Sequence, residues 1–257
     1  MFEKLFKIKK PHESKDVLRS EHLKEGISPI VACVGTPEQF RDNPGDEQRV
    51  LIIGGIEEEK APLNINYYGE QDALVKRGMK NAGKFSYVMS PIDAADKISR
   101  RFINCTGLVV AGKDKRTGEN VSLVTHQDPH YFLVTESQKS IFVHDLEQKL
   151  REIKERCEEG TIDAVIVGGN SDSGGYYKDS YVNSIKLLSE ETQNVLGFEP
   201  VVMTGPKAVS PVLDWAAQDD VFYDNAHRRL FIIRPKVGDA STESFVYSTL
   251  KEQKKKW

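Results

Sequence analysis

The clearest structural pattern in the chain is the stretch Cys105-Thr-Gly-Leu-Val-Val-Ala-Gly-Lys-Asp-Lys-Arg-Thr-Gly-Glu-Asn-Val-Ser-Leu-Val-Thr-His126. Its first part, Cys105 to Ala111, is an apolar run that is typical of a buried strand. The segment 113–119 contains turn residues, because Asp and Gly tolerate the backbone angles of tight turns. The segment 120–125 alternates apolar and polar residues, as a returning strand does. The stretch therefore predicts a β-hairpin that brings Cys105 and His126 to the same end of a sheet.

Beyond this hairpin, predicted helices alternate with short apolar strands. Helices are expected at 145–159 and 180–196, with Gly160 and Gly197 as their C-terminal stops. The other predicted elements are strands at 30–34, 50–53, 85–89, 162–167 and 200–204, a hairpin at 221–233, a helix near 71–79, a helix or turn at 93–101, and a helix near 242–252. Strands that occur both in hairpins and between helices predict an α+β fold. We expect mixed β-sheets in a sandwich-like arrangement, with helices packed on the outer faces.

Composition changes along the chain predict four regions. Residues 1–28 are highly charged and are expected to form an N-terminal arm. Residues 29–83 contain short strands and Pro- and Gly-rich loops, and we expect this N-terminal extension to pack on the core. Residues 84–236 contain the well-patterned elements and form the expected main domain. Residues 237–257 form a polar C-terminal tail, with one helix possible within it.

The overall composition excludes several classes of protein. The chain has 257 residues and a formal net charge of −3, which gives no electrostatic reason to expect a nucleic-acid partner. No run approaches the roughly 18 apolar residues of a transmembrane helix, so no membrane insertion is expected. The cysteines, Cys33, Cys105 and Cys157, are few and far apart, which favours free thiols in a reducing compartment. We therefore expect a cytoplasmic protein.

Cys105 and His126 are the residues to which chemistry is most readily assigned. A thiol with a pKa of about 8.5 is mostly protonated at neutral pH, and a nearby His lowers that value. A thiolate–imidazolium pair attacks carbonyl carbon, and the His then protonates the leaving amine. The alternative for each residue is structural: a lone Cys in an apolar strand is a small buried hydrophobe, and a lone His at a strand end is an ordinary satisfied side chain.

From Cys105 onward the chain resembles the chemoreceptor glutamine deamidase CheD and the wider superfamily of Cys-His hydrolases that includes the cytotoxic necrotizing factor toxins. The similarity covers roughly residues 84–235 and is one of order and spacing. A Cys opens a strand, a hairpin leads to His126, and a helix, the strand Val165-Ile-Val-Gly-Gly-Asn170, a second helix, Pro200-Val-Val-Met-Thr-Gly205 and a closing hairpin follow. The resemblance also implies a hydroxyl residue six positions before the Cys, where Ser99 stands.

The resemblance implies a CheD-like fold and an activity without a cofactor or a metal. Cys105 is then the nucleophile, His126 the general base and acid, and Ser99 the residue that orients the His or positions the substrate. The expected substrate is a protein with an exposed glutamine. Candidate substrate-binding residues adjoin the pair or lie in the glycine-rich loop: Thr106, Gln127, Gly169 and Asn170.

Two other functions remain open at this stage. The first is a non-catalytic binding or regulatory module on the same fold, since glycines found around the Cys and His in the family are replaced here. The second is a metal-dependent nucleoside enzyme like the laccase-domain proteins, although no His lies between His22 and Cys105 to supply their third ligand. Alternation through His126, Asp128 and His130 offers a different metal site, which Pro129 argues against.

Overall fold

A computed structural model of the chain describes residues 12–13, 21–42, 63–66, 71–81, 86–169, 178–205, 219–234 and 245–247. Within these ranges the strands are β1 His12–Glu13, β2 Val31–Gly35, β3 Leu63–Asn64, β4 Lys80–Asn81, β5 Tyr87–Met89, β6 Lys97–Phe102, β7 Thr106–Lys113, β8 Asn120–Gln127, β9 Asp163–Gly168, β10 Val201–Thr204, β11 Asp219–Asp224, β12 Arg229–Ile233 and β13 Phe245–Tyr247. The helices are α1 Pro37–Arg41, α2 Gln71–Lys76, α3 Pro129–Phe132, α4 Glu136–Arg156 and α5 Lys178–Leu196.

The described strands form two mixed sheets. The first sheet has six strands in the order β1-β2-β12-β11-β6-β3, and the second has seven in the order β13-β10-β9-β7-β8-β5-β4. Each sheet contains both pairing types, because β2 runs parallel to β12 and β9 runs parallel to β10 among otherwise mainly antiparallel neighbours. The predicted α+β class with mixed sheets is confirmed.

One apolar cluster joins the two sheets. Val109 and Val165 of the second sheet and Val221 and Ile232 of the first belong to this cluster, and each is at most 2% exposed. A separate cluster joins the other face of the second sheet to α4 and α5, through residues such as Leu150. On the outer face of the first sheet, Phe40 of α1 packs edge-on against Phe231. Helices therefore cover faces of the sheets that point away from the shared core.

The hairpin formed by β7 and β8 is present as predicted. Its turn is held by Asp114, whose carboxylate accepts hydrogen bonds from the backbone N–H groups of Arg116 and Thr117 at 2.7 and 3.3 Å. Gly118 has φ of +72°, in the left-handed region that glycine enters without steric cost. Local turn chemistry is therefore sufficient to fix the register of the hairpin.

Two segments predicted as helical are strands. Residues 93–101 were predicted to form a helix or turn, but β6 pairs with β11 and β3. Two of its polar residues, Lys97 and Ser99, are buried: Lys97 is 1% exposed and its ammonium group is bonded to Asp93 and to Ser122. Such residues hide the strand pattern, because their partners come from elsewhere in the chain. The prediction of a helix near 242–252 is wrong at Phe245–Tyr247, which form β13 and pair with β10.

The two long helices were predicted in the right places, the first with both boundaries wrong and the second with only its start wrong. The first was predicted at 145–159, but α4 starts at Glu136, where Thr135 caps it by accepting from the N–H of Gln138. It ends before Cys157, whose extended backbone stops the helix, and not at Gly160. The second was predicted at 180–196 and begins two residues earlier as α5. Gly197, with φ of +91°, follows it as predicted.

The N-terminal regions are described only in part. His22 stacks on Phe198 with ring centroids 3.6 Å apart, and the N–H of Ile30 donates to the Asp163 carboxylate at 2.7 Å. The strand predicted at 50–53 lies outside the described residues, and the domain boundaries stay predictions. No helix within the described ranges combines the length and the apolar composition needed to cross a membrane.

Candidate active site

Strand pairing places Cys105 and His126 on the same face of the second sheet. Thr106 of β7 pairs with Gln127 of β8, and the same register continues at Val109 and Val124. By that register His126 stands opposite Gly107. Since side chains alternate between faces, Cys105 points to the face that His126 occupies, two residues along. Diagonal neighbours of this kind are within reach of a long side chain such as His.

Gly107 leaves room for an aromatic ring beside His126. A Cβ atom at this position would lie 2.6 Å from the carbonyl oxygen of Thr125 and 2.9 Å from the ring of Phe102. The space is filled by Phe102, which stacks on the imidazole with centroids 4.0 Å apart and an interplanar angle of 13°. The missing side chain and the ring together restrict the orientation of His126.

Ser99 contacts His126 across the interface between the two sheets. The Ser99 Oγ lies 2.8 Å from Nδ1 of His126 and 2.7 Å from the carbonyl oxygen of Ile65. Ser99, Ile65 and His126 are each 0% exposed. Ser99 belongs to β6 of the first sheet and His126 to β8 of the second. The packing of one sheet on the other therefore creates this contact, which the sequence spacing alone does not contain.

Burial dominates the electrostatics of the site. Removal from water disfavours the charged imidazolium and lowers the pKa of His126 to about 3. The imidazole is therefore neutral at pH 7, so the site at rest has no preformed imidazolium of the kind expected from the sequence. Cys105 is only 2% exposed and belongs to the apolar cluster that contains Phe102 and Val167.

Thr106 and Gln127 lie on the opposite face of the sheet from Cys105 and His126. Both are 0% exposed. The Gln127 amide donates to the Thr106 hydroxyl at 3.2 Å, and that hydroxyl lies 2.5 Å from the Ser184 hydroxyl of α5. These two predicted substrate-binding residues are therefore hydrogen-bonded between the sheet and α5. They do not lie on the face of the sheet that carries Cys105.

Close packing accounts for the glycine pair at the end of β9. The N–H of Gly169 donates to the carbonyl oxygen of Cys105 at 2.9 Å. A Cβ on Gly169 would collide with the carbonyl oxygens of Phe102 and Ile103, and a Cβ on Gly168 would collide with the Tyr181 hydroxyl. Gly169 is therefore next to the candidate nucleophile. Asn170, the other predicted loop residue, lies outside the described residues.

A buried ion pair adjoins the site and was not foreseen from the sequence. Asp219 pairs in the sheet with Phe102, and its two carboxylate oxygens each lie 3.1 Å from Nε of Arg234. Burial raises the pKa of Asp219 to about 6, although Arg234 acts in the opposite direction. Phe102 and Ile65 were also missed. No motif marks any of these residues, since their importance follows from contacts between distant segments.

The metal site considered along 126–130 does not form. Strand β8 ends at Gln127, and Asp128 instead caps α3 by accepting from the N–H of His130 at 2.9 Å. The alternation that would align His126, Asp128 and His130 is therefore lost. In the part of the chain that the structure describes, no group of three or more His, Cys, Asp or Glu side chains is placed to hold a metal ion.

Comparison with known proteins adds no family assignment. No protein-family model matches the chain, and no curated protein matches it. We therefore base the functional proposal on the geometry around Cys105 and His126.

Proposed function

We propose that the chain is a thiol amidohydrolase, with a glutamine side chain of a protein as its substrate. Cys105 is the nucleophile, His126 is the general base and acid, and Ser99 orients the imidazole. The observation that carries this proposal is the 2.8 Å contact between Ser99 Oγ and His126 Nδ1. It provides a base held by a third residue, on the sheet face that also carries the thiol.

The proposed reaction has two halves. Cys105 Sγ attacks the carboxamide carbon while His126 takes the thiol proton, and the imidazolium then passes that proton to the leaving nitrogen. Ammonia leaves and a thioester remains. In the second half a water molecule gives one proton to His126 as its oxygen attacks the thioester carbon. The thiolate leaves, recovers the proton, and glutamate is the product. This sequence needs no cofactor.

The order of elements supports a CheD-like version of the fold. The family resemblance implies a hairpin, a helix, a strand ending in Gly-Gly, a helix, a strand and a closing hairpin. The described elements β7–β8, α4, β9, α5, β10 and β11–β12 follow in that order. The partner is then a protein with an exposed glutamine. We place the reaction in the cytoplasm, because Cys33, Cys105 and Cys157 are reduced thiols, as is usual in a reducing compartment.

The burial of Cys105 requires a rearrangement before a protein substrate can reach it. At 2% exposure the sulfur atom is covered, and the stacked Phe102 ring belongs to the same cluster. A glutamine side chain that enters must displace some of these contacts. We therefore expect turnover to depend on opening of the packing around Phe102 as well as on the chemistry.

A non-catalytic binding module on the same fold is the second candidate. It is favoured by the same burial, since Cys105 lies among Val109, Val167 and Phe102 and has the surroundings of an ordinary core cysteine. In that case Ser99 and His126 are a buried polar pair that fixes how the two sheets pack. The two functions differ in a measurable property, the reactivity of the Cys105 thiol.

Turnover is tested directly with protein substrates. Whole-chain protein is incubated with a mixture of unfolded proteins, and peptide mass spectrometry counts glutamines converted to glutamate. The matched control is Cys105→Ser, which keeps the size of the side chain. Conversion above that of the control supports the amidohydrolase. Equal conversion by both proteins, together with an unreactive Cys105, supports the binding module.

A further inference from the structure

The hydroxyl group of Ser99 is surrounded by three hydrogen-bonding atoms. The carbonyl oxygen of Ile65 lies 2.7 Å from Oγ, the side-chain oxygen of Asn66 lies 3.4 Å from it, and Nδ1 of His126 lies 2.8 Å from it. A hydroxyl group has a single proton to donate and lone pairs with which to accept. The two oxygens have no proton, so they can only accept.

The orientation of the Asn66 amide is fixed independently. The backbone N–H of Arg100 lies 2.9 Å from the Asn66 oxygen, and an N–H requires an acceptor there. The amide oxygen thus faces β6, and Asn66 cannot donate to Ser99 from that side. The Ile65 carbonyl is the nearer of the two oxygens. Its 2.7 Å contact with Oγ is a hydrogen bond only if Ser99 donates its proton to it.

This arrangement determines which nitrogen of His126 carries the proton. If Ser99 donates to Ile65, its short contact with Nδ1 is a hydrogen bond only when Nδ1–H is the donor. We infer that the Ile65 carbonyl fixes His126 as the Nδ1–H tautomer, with Nε2 as its proton-accepting nitrogen, and that the Asn66 side chain, bonded to the N–H of Arg100, helps to hold this segment against β6. Ile65 and Asn66 are thus positioning residues that act through Ser99.

Part of the N-terminal extension then belongs to the site. Ile65 and Asn66 lie in the predicted extension 29–83, which has no counterpart in the resemblance. The segment is bonded to β6 and to the residue before it: the N–H of Leu63 donates to the backbone carbonyl oxygen of Asp96 at 2.9 Å, and the N–H of Ile65 donates to that of Ile98 at 2.7 Å. These bonds place the carbonyl of Ile65 over the Ser99 hydroxyl.

Loss of the Ile65 acceptor has a specific consequence. The Ser99 hydroxyl would then turn and donate to Nδ1, and the ring proton would move to Nε2. On the proposed function, on which this consequence rests, His126 would lose the nitrogen that accepts the Cys105 proton. The extension therefore sets whether the base is present in its active tautomer.

The tautomer is measured by long-range nitrogen–proton NMR on whole-chain protein labelled with ¹⁵N-histidine at pH 7. The chain has six histidines, so the His126 signals are identified by their loss in His126→Gln. We expect a pyrrole-type Nδ1 and a pyridine-type Nε2 in the unmodified protein. The reverse pattern overturns the inference without any variant being needed.

A pair of asparagine variants tests the role of the extension. Asn66→Ala removes the side chain that is bonded to Arg100, and we expect the Nδ1 signal of His126 in this variant to move toward the pyridine type. Asn64→Ala is the matched control, because the Asn64 side chain is exposed in the same segment. Identical His126 spectra in the two variants overturn the role of Asn66. Neither result depends on turnover, so failure of the proposed hydrolysis is distinguishable from failure of this inference.

Discussion

The ring of Phe102 lies nearly parallel to the imidazole of His126, with their centroids 4.0 Å apart. The contact links the end of β6 in one sheet to the end of β8 in the other. Together with the hydrogen bond between Ser99 Oγ and Nδ1, it holds the imidazole by its face and by one nitrogen. An imidazole restricted in both ways differs from one that merely fills space, and we expect variants at the contact to have measurable effects.

Substitution of Phe102→Leu is expected to lower the reactivity of Cys105. Leucine keeps an apolar side chain but removes the stacked ring, so the imidazole is less well oriented. We expect a stability cost of about 1 kcal/mol and a slower reaction of Cys105 with iodoacetamide. Phe222→Leu is the control, since Phe222 lies in the cluster that contains Phe40 and not beside His126. Equal effects of both variants on Cys105 would show that the ring has no positioning role.

Substitution of Gly169→Ala is expected to disturb the site through the backbone. The added Cβ collides with the carbonyl oxygens of Phe102 and Ile103, and backbone cannot move away cheaply. We expect a loss of about 1–3 kcal/mol in the free energy of unfolding and a change in the Cys105 alkylation rate. Gly197→Ala strains a glycine with φ of +91° at the end of α5, away from the site. It should destabilise the protein and leave the Cys105 rate unchanged. An unchanged Cys105 alkylation rate in Gly169→Ala would contradict this prediction.

The depressed pKa of His126 predicts a stability that falls in acid. Between pH 6.5 and the folded-state pKa of about 3, the unfolded chain binds a proton that the folded chain does not. The free energy of unfolding therefore decreases as the pH falls through this window, by about 3 kcal/mol from pH 6.5 to 4. Above pH 6.5 this contribution is constant.

The His126 contribution is isolated by urea denaturation of the unmodified protein and His126→Gln at both pH values. The pH-dependent loss should be about 3 kcal/mol smaller in the variant. The contribution of Asp219 to the free energy of unfolding has the opposite sign. Because its pKa is raised to about 6 in the folded chain, that contribution is present in acid and is lost as the pH rises through this value. It is present in both proteins and cancels in the difference. Parallel pH profiles would mean that His126 is not buried as described.

The Asp219–Arg234 pair is expected to be essential for stability. Both side chains are buried, at 3% and 2% exposure. Asp219→Ala leaves a buried guanidinium without its carboxylate, which costs about 3–5 kcal/mol in comparable cases. Asp72→Ala, on the exposed face of α2, should change the free energy of unfolding by less than about 0.5 kcal/mol. Thermal unfolding of the two variants makes the comparison, and similar melting temperatures would contradict the assignment.

Local patterns were sufficient to predict the elements that depend on local chemistry. The hairpin of β7 and β8 was predicted from its apolar runs and the Asp and Gly of its turn, and α5 from its periodicity and Gly197. Strand β6 was missed because Lys97 and Ser99 are polar residues at buried positions. Their partners, Ser122 for one and Ile65 for the other, lie far away in the sequence. No window of sequence contains that information.

The candidate site also combines features that local sequence predicts with features that depend on distant segments. The pairing of adjacent strands was enough to expect Cys105 and His126 at one end of the hairpin. The contacts of Ser99 and Phe102 with His126 require one sheet to pack on the other. The contact of Ser99 with Ile65 joins segments 34 residues apart within one sheet. Burial of the site could not be foreseen either, since it arises from the whole core between the sheets.

The rate at which iodoacetamide modifies Cys105 tests the central claim most directly. Peptide mass spectrometry follows the three cysteines separately, and Cys33 and Cys157 are buried internal references at 3% and 1% exposure. We predict that Cys105 at pH 7 reacts at least about tenfold faster than either reference, and that His126→Gln removes this difference. Equally slow reaction of all three thiols, with no effect of His126→Gln, would contradict the assignment of Cys105 as a nucleophile activated by His126.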